Sequence, residues 1–403
     1  MNRCARISLM IGSAALSLLA AMSLYAVWDR LYREVPEPAW VNRDAETRFM
    51  YASLGTEKEH GIPYWVYYVL PRLFPEKLPG PGGYASLGFP WQEGYELPVG
   101  FTKKTVGYPR VSGNCALCHS AKYRQKAGGK AVFVPFGPGR TGNVEGLFRF
   151  LAACARDPRF NSNNVMFHIL QVNKLDPIDA FLYRYVIIPD ARKRLLALDS
   201  ALDLFGGPHH DKGGVIVRQA KSLPAYGQIS FPPRFPKEFP IDRSKAQAGR
   251  AVFDRQCAGC HVDGRAGSPT PVEVGFSRDR LANWRQKTAM QPGPERRGRS
   301  EDAARYRVPN LDGIWLRAPY LRDGSVPSLR DLLTPPAQRP KAFRAGCDVF
   351  DPVKVGFKAC GEGETAARAP AADPKDGDSP AHSFGTDLPD PEKANLIEYL
   401  KTL

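Results

Sequence analysis

Cysteine is scarce in this sequence, with eight among 403 residues, yet two of the eight stand three apart and are followed at once by histidine in "NCALCHSAKY". No arginine-rich recognition helix and no RNA-binding signature accompany the formal charge of +15, so nucleic acid is not the expected partner. Charge is absent altogether from Ile7 to Trp28, behind a start that carries Arg3 and Arg6. Such a run is an export segment, and its 22 residues could cross a hydrocarbon core about 30 Å thick. "SLYA" is a poor cleavage site. An uncleaved anchor is therefore expected, the basic start inside and the rest on the periplasmic side of the bacterial inner membrane. Cleavage to a soluble periplasmic protein is the alternative.

Disorder is excluded by a 43% hydrophobic content, which suffices for real cores. The excess of 56 basic over 41 acidic side chains points to an acidic partner surface or an anionic membrane. The arginine-dense stretch "RDRLANWRQKTAMQPGPERRGRSEDAARYR" could steer such a partner.

Six cysteines fall into three pairs. Cys115 and Cys118 precede His119, and Cys257 and Cys260 precede His261. Cys-x-x-Cys-His is the attachment spacing of c-type haem. Two thiols on one helical turn can each bond a vinyl group of the same porphyrin, and the next histidine is directed at the iron. A zinc site would want two more Cys or His ligands close by each pair, and a redox dithiol would not repeat with histidine behind it both times. Two covalent haems are expected. Cys347 and Cys360 have no histidine nearby, and in an oxidising compartment a disulfide is their natural state, two unrelated thiols being the alternative.

The second site has the frame of a small cytochrome domain. "SKAQAGRAVFDRQCAGCH" puts Gly249 and Phe253 on one helical face, and the closing "PEKANLIEYLKTL" repeats Leu396, Tyr399, Leu400 and Leu403 at helical spacing. The first site is entered through an extended, glycine-rich stretch, and "GNVEGLFRFLAACARDPRF" reads as a helix after it. The proline-rich "SLPAYGQISFPPRFPKEFPIDRS" reads as a linker, and "GEGETAARAPAADPKDGDSP" as a surface loop. The expected fold is mainly α. It has an anchor over 1–34, a first haem domain over 35–235 and a second, cytochrome c-like, over 236–403, in tandem with long loops.

These segments, with "GIPYWVYYVLPRLFPEKLPGPGGYASLG", "LDGIWLRAPYLRDGSVPSLRDLL", "FDPVKVGF" and "AHSFGTDLPDPEKANLIEYLKTL", resemble the di-haem c-type cytochromes related to rubber oxygenases, within the bacterial di-haem peroxidase superfamily. The resemblance implies that His119 and His261 are proximal ligands and that His382 of "AHSFGT" is the distal ligand of the second haem. Such proteins usually carry a histidine after "APYL", where this chain has Arg322, a permanent cation that could bind a haem propionate.

For the first haem, Met166 and His168 lie two apart on an expected helix, so at most one faces the iron; an open position is the alternative. Met290 is a reserve ligand for the second. His60, His209 and His210 read as surface residues. Trp315 and Trp284 are core residues or electron relays. The functional expectation is electron transfer with a redox partner protein. The rivals are a peroxidase or oxygenase acting at an open first haem, and a haem subunit of a larger redox complex.

Overall fold

Apolar side chains without charge or proline let the N-terminal run form one long helix, α1 (Arg3–Tyr32), in the computed structural model of the chain. The structure describes residues 3–137, 142–202, 232–262, 311–321, 325–341, 343, 348–358 and 382–403. About half of these residues are helical. The stretch Gly12–Tyr32 is long and apolar enough to cross a membrane and is not buried against the rest of the chain. By length and composition alone it could serve as an export signal or a membrane anchor.

Contacts divide the chain into two compact units, the first comprising Met1–Leu117 and Gly142–Gly206 and the second Cys118–Thr141 and Gly207–Leu403. In the first, α2 (Ala45–Tyr51) starts where Asp44 accepts the Thr47 N–H at 2.7 Å, and the short α3 (Glu57–His60) follows. Next come β1 (Ile62–Pro63) and α4 (Tyr64–Leu73). The hairpin of β2 (Phe101–Val106) and β3 (Tyr108–Gly113) turns at Gly107, and β1 adds to β3, giving the antiparallel order β1-β3-β2.

The first Cys-x-x-Cys-His motif ends in α5 (Ala116–His119), and the division between the units falls within it, between Leu117 and Cys118. Asparagine caps open both α6 (Val144–Arg156) and α7 (Ser162–Val172), Asn143 accepting from Gly146 N–H at 2.7 Å and Asn161 from Asn164 N–H at 3.0 Å. A last long helix comprises α8 (Pro177–Leu182), a π-turn (Tyr183–Ile187) and α9 (Ile188–Leu202). The apolar faces of α4, α6 and α7 meet in one core around Val66, Leu70, Phe150, Leu151, Val165 and Ile169.

The second unit takes in β4 (Ser120–Tyr123) and β5 (Val132–Pro135), an antiparallel pair. This differs from the sequence-based division, which kept the stretch after "CALCH" with the first domain. Alternate residues of β4, Ala121 and Tyr123, are buried with Phe253, Trp315 and Phe350, so one face of the strand belongs to the second core. Residues 203–231, between the described parts of the expected linker and α9, lie outside the described residues.

Among the described residues the α-helices of this unit are α10 (Arg243–Gln256), α11 (Ala258–His261), α12 (Leu329–Leu332) and α13 (Asp390–Leu400), with the two-residue strands β6 (Phe350–Asp351) and β7 (Gly356–Phe357) paired antiparallel. Helices α10 and α13 cross closely. A Cβ on Gly249 would run into the carbonyl of Asn395, while one turn on the Phe253 and Tyr399 rings meet with centroids 5.1 Å apart. Leu396 and Leu400 bury the same stripe of α13.

Candidate functional site

The first motif is fastened by its preceding asparagine. Asn114 is buried; its Nδ2 donates to the Ala52 carbonyl at 3.0 Å and its Oδ1 accepts the Ala116 N–H at 2.9 Å. Its backbone N–H reaches the Gly100 carbonyl at 2.8 Å. Gly100 has φ +89°, and a Cβ there would strike the backbone of Leu117, so only glycine lets the strand entry lie against this turn. Cys115 and Cys118 are thiols on that turn, as thioether formation requires. Burial lowers the pKa of His119, which favours the neutral imidazole that can ligate a metal.

The second motif grows out of α10. Cys257 N–H closes the helix on the Phe253 carbonyl at 2.8 Å, and the Cys257 carbonyl accepts from Cys260 N–H at 3.1 Å and His261 N–H at 3.0 Å. One turn therefore holds both thiols and the histidine. Burial raises the Cys257 thiol to about 11, with Cys260 adding to the shift.

Across from this turn stands His382. Its ring centroid is 6.3 Å from that of His261, the planes 43° apart. Two imidazoles on one iron, with nitrogens about 2.0 Å from the metal and ring centres about 1.1 Å beyond, would have centroids roughly 6.3 Å apart. The residues present thus fit a bis-histidine haem. Nδ1 of His382 is enclosed without a hydrogen-bond partner, and the ring's pKa is lowered to about 4 by burial first, then by His261 and Arg339. A neutral, unpaired imidazole nitrogen is what a ligand position calls for.

Arg339 secures the segment from behind. Its Nη2 donates to the carbonyls of His382 at 2.5 Å and Leu332 at 2.9 Å, and its Nε to those of Thr334 at 2.9 Å and Asp331 at 3.2 Å. Nothing in its sequence context distinguished this arginine from its many neighbours. Asn114 and Gly100 also escaped notice as supports, although the asparagine directly before the first cysteine was a usable cap signal.

Among the described residues no second imidazole faces His119 at such a distance, and no group of three or more His, Cys, Asp or Glu side chains is gathered to hold a metal ion. Met166 is fully buried in the first unit's apolar core; His168 lies partly exposed with its ring 5.5 Å from Phe167. His60 is exposed at the end of α3. Trp315 is fully buried, edge-on to Tyr123, Phe235 and Phe350, and donates its Nε1–H to the Pro233 carbonyl at 2.8 Å, so packing accounts for it. Cys154 is buried in the first core, and burial raises its thiol to about 12. Arg322, Trp284, Met290, His209, His210, Cys347 and Cys360, with the expected loop after Cys360, lie outside the described residues.

A RoxA-like, cytochrome c-like domain is found at residues 305–344, the stretch that contains "GIWLRAPYLRDGSVPSL". Such a domain implies a c-type haem, hence iron, and a haem-based electron-transfer or redox function. The chain is also similar to two proteins of Sinorhizobium fredii (strain NBRC 101917 / NGR234), both described as uncharacterized. It is 39% identical to y4iJ over 108 residues, 24% of this chain and 18% of that protein. It is 30% identical to y4iM over 175 residues, 36% of this chain and 38% of that one. The chain thus spans less than two fifths of either relative's length. No solved structure matches it.

Proposed function

We propose that the chain is a periplasmic di-haem c-type cytochrome, held to the inner membrane by α1, whose work is electron transfer. The observation that carries this reading is the 6.3 Å separation of the His261 and His382 rings above a Cys-x-x-Cys turn. Cys115 and Cys118, and likewise Cys257 and Cys260, would hold one haem each through thioether bonds, with His119 and His261 as proximal ligands. Bound haem supplies a one-electron couple. His382, kept neutral by burial and by the nearby Arg339 cation, would close the second iron from the other side. Because Arg339 fixes the His382 carbonyl, the imidazole is held in place rather than recruited, which suits a centre that changes charge without changing ligands. The excess of basic side chains favours a redox partner with an acidic docking surface.

A second reading, peroxidase or oxygenase chemistry on a small oxidant at the first haem, draws on one observation: among the described residues, His119 has no counterpart of His382. Mass spectrometry of the denatured protein, produced in a host competent for cytochrome maturation, tests the di-haem reading. The chain should carry two haem masses; a single retained haem would reject it.

A further inference from the structure

The end of α1 is not a loose tether. Arg30 Nε donates to Asp179 and its Nη2 to Asp176, each at 3.0 Å, while Asp176 also caps α8 by accepting the N–H groups of Ile178 and Asp179 at 2.8 and 2.9 Å. Just beyond, Gly107 N–H donates to the Arg33 carbonyl at 2.7 Å, Val35 N–H to the Thr105 carbonyl at 3.0 Å, and Glu34 pairs with Lys104. Gly107 lies so near Leu31 that a Cβ would strike its backbone. The last turn of α1 is therefore clamped between the β2–β3 turn and the start of α8, with no linker between membrane segment and folded unit.

Tyr25, Trp28 and Tyr32 are exposed on the final turns of α1, and aromatic residues of this kind settle at the headgroup level of a bilayer. Arg30 lies between Trp28 and Tyr32 on the same helix end, and its two aspartates fix the start of α8 beside it. From there the chain turns six large apolar side chains to solvent: Phe167 and Leu170 on α7, Ile178 and Phe181 on α8, Tyr185 and Val186 in the π-turn, each 42–62% exposed. Ile178, Phe181 and Tyr185 follow helical spacing, with the last two rings 4.9 Å apart, and α7 packs on the π-turn. Single exposed apolar residues are ordinary, but a grouped set at the foot of an apolar helix calls for a cover. Both acids of this stretch are turned to Arg30, while Lys174 and Arg184 remain beside the apolar residues, a composition that suits anionic headgroups.

We infer that the α7–α8 face is a second membrane-contacting surface, seated among the headgroups of the bilayer that α1 enters, so that the first unit lies on the membrane instead of hanging from it. This rests on the reading of α1 as an anchor. The test is photo-crosslinking of the full-length holoprotein in native membranes, with p-benzoylphenylalanine placed singly at Phe181, Tyr185, Met22 within α1, and Trp91. Trp91 is a control at the far end of the hairpin: Val99 N–H binds the Pro90 carbonyl, and β2 then runs about 17–20 Å to its tip at Gly107. All four residues are exposed, so folding is not at stake.

Phospholipid adducts are expected at 22, 181 and 185, severalfold above position 91. Adducts at 22 without any at 181 and 185 would overturn the second surface and leave the anchor. Adducts at 181 and 185 without any at 22 would remove the anchor and keep the surface as a peripheral contact. A protein adduct at 181 in place of lipid, or equal lipid labelling at 91, would overturn the inference.

Discussion

The two Cys-x-x-Cys-His turns differ by one residue within the motif, leucine at 117 against glycine at 259, and by almost everything around it. "CALCH" leaves a β-hairpin, is tied down by Asn114 and Gly100, and leads straight into a strand. "CAGCH" ends the long helix α10, which α13 crosses at Gly249, and is faced by His382. On the proposed reading the same five-residue pattern would attach a haem at both places, while the surroundings would set what each iron could do. A centre faced by a buried histidine is suited to passing electrons; one without it retains room for a ligand.

The largest effect should come from Cys257→Ser with Cys260→Ser, which removes the thioethers of one site only. One haem mass should be lost, the second unit should be strongly destabilised, and spectra should show the His119 centre alone. If two haems stayed attached, attachment would not depend on the second motif and the comparison would collapse.

His382→Ala sharpens it most. Both haems should remain covalently bound, yet the second should pass from low-spin to high-spin and acquire carbon monoxide binding, seen in difference spectra. An unchanged low-spin signal would assign that position to another residue, such as Met290.

Gly249→Ala addresses the scaffold. Its methyl would meet the Asn395 carbonyl, backbone against backbone, so α10 and α13 must part. A loss of about 2–3 kcal/mol is expected, read as a lower thermal midpoint of the holoprotein. At the first motif the close approach is of another kind: a Cβ on Gly100 would strike the backbone of Leu117 inside α5, so Gly100→Ala should displace that turn itself.

A smaller change is expected for Arg339→Met. Removing a cation near His382 should lower the midpoint potential of the second haem, by roughly tens of millivolts, because positive charge favours the reduced iron. The first haem's potential should stay where it is in a spectroelectrochemical titration.

The smallest effect is that of acid. Burial, His261 and Arg339 hold the His382 pKa near about 4, below the usual histidine value of about 6.5. A depressed histidine keeps its neutral form in the fold, so proton uptake by the unfolded chain costs stability progressively from about pH 6.5 down to about 4. The low-spin spectrum should be the same at pH 5 as at pH 8.

Much of this was legible because the relevant signals are local. Thiol spacing, the uncharged run of α1 and the Gly249–Phe253 face each lie within one helix or turn. His382 came from resemblance to a known family, and its meeting with His261, 121 positions away, could not be read from either segment. Arg339 stayed hidden for the same reason: it acts on backbone carbonyls, which leave no trace in sequence. The place of β4 could not be read from its order in the chain: one-sided burial of Ala121 and Tyr123 groups it with the second core. Asn114 was visible but was masked by the cysteine beside it.

The most direct measurement is the electron paramagnetic resonance spectrum of the oxidised, intact protein, since it separates low-spin from high-spin iron in one sample. The account predicts one low-spin centre with two histidine ligands and one high-spin or weakly ligated centre, in equal amounts. Two low-spin centres without carbon monoxide binding would contradict the inequality of the sites and leave electron transfer alone.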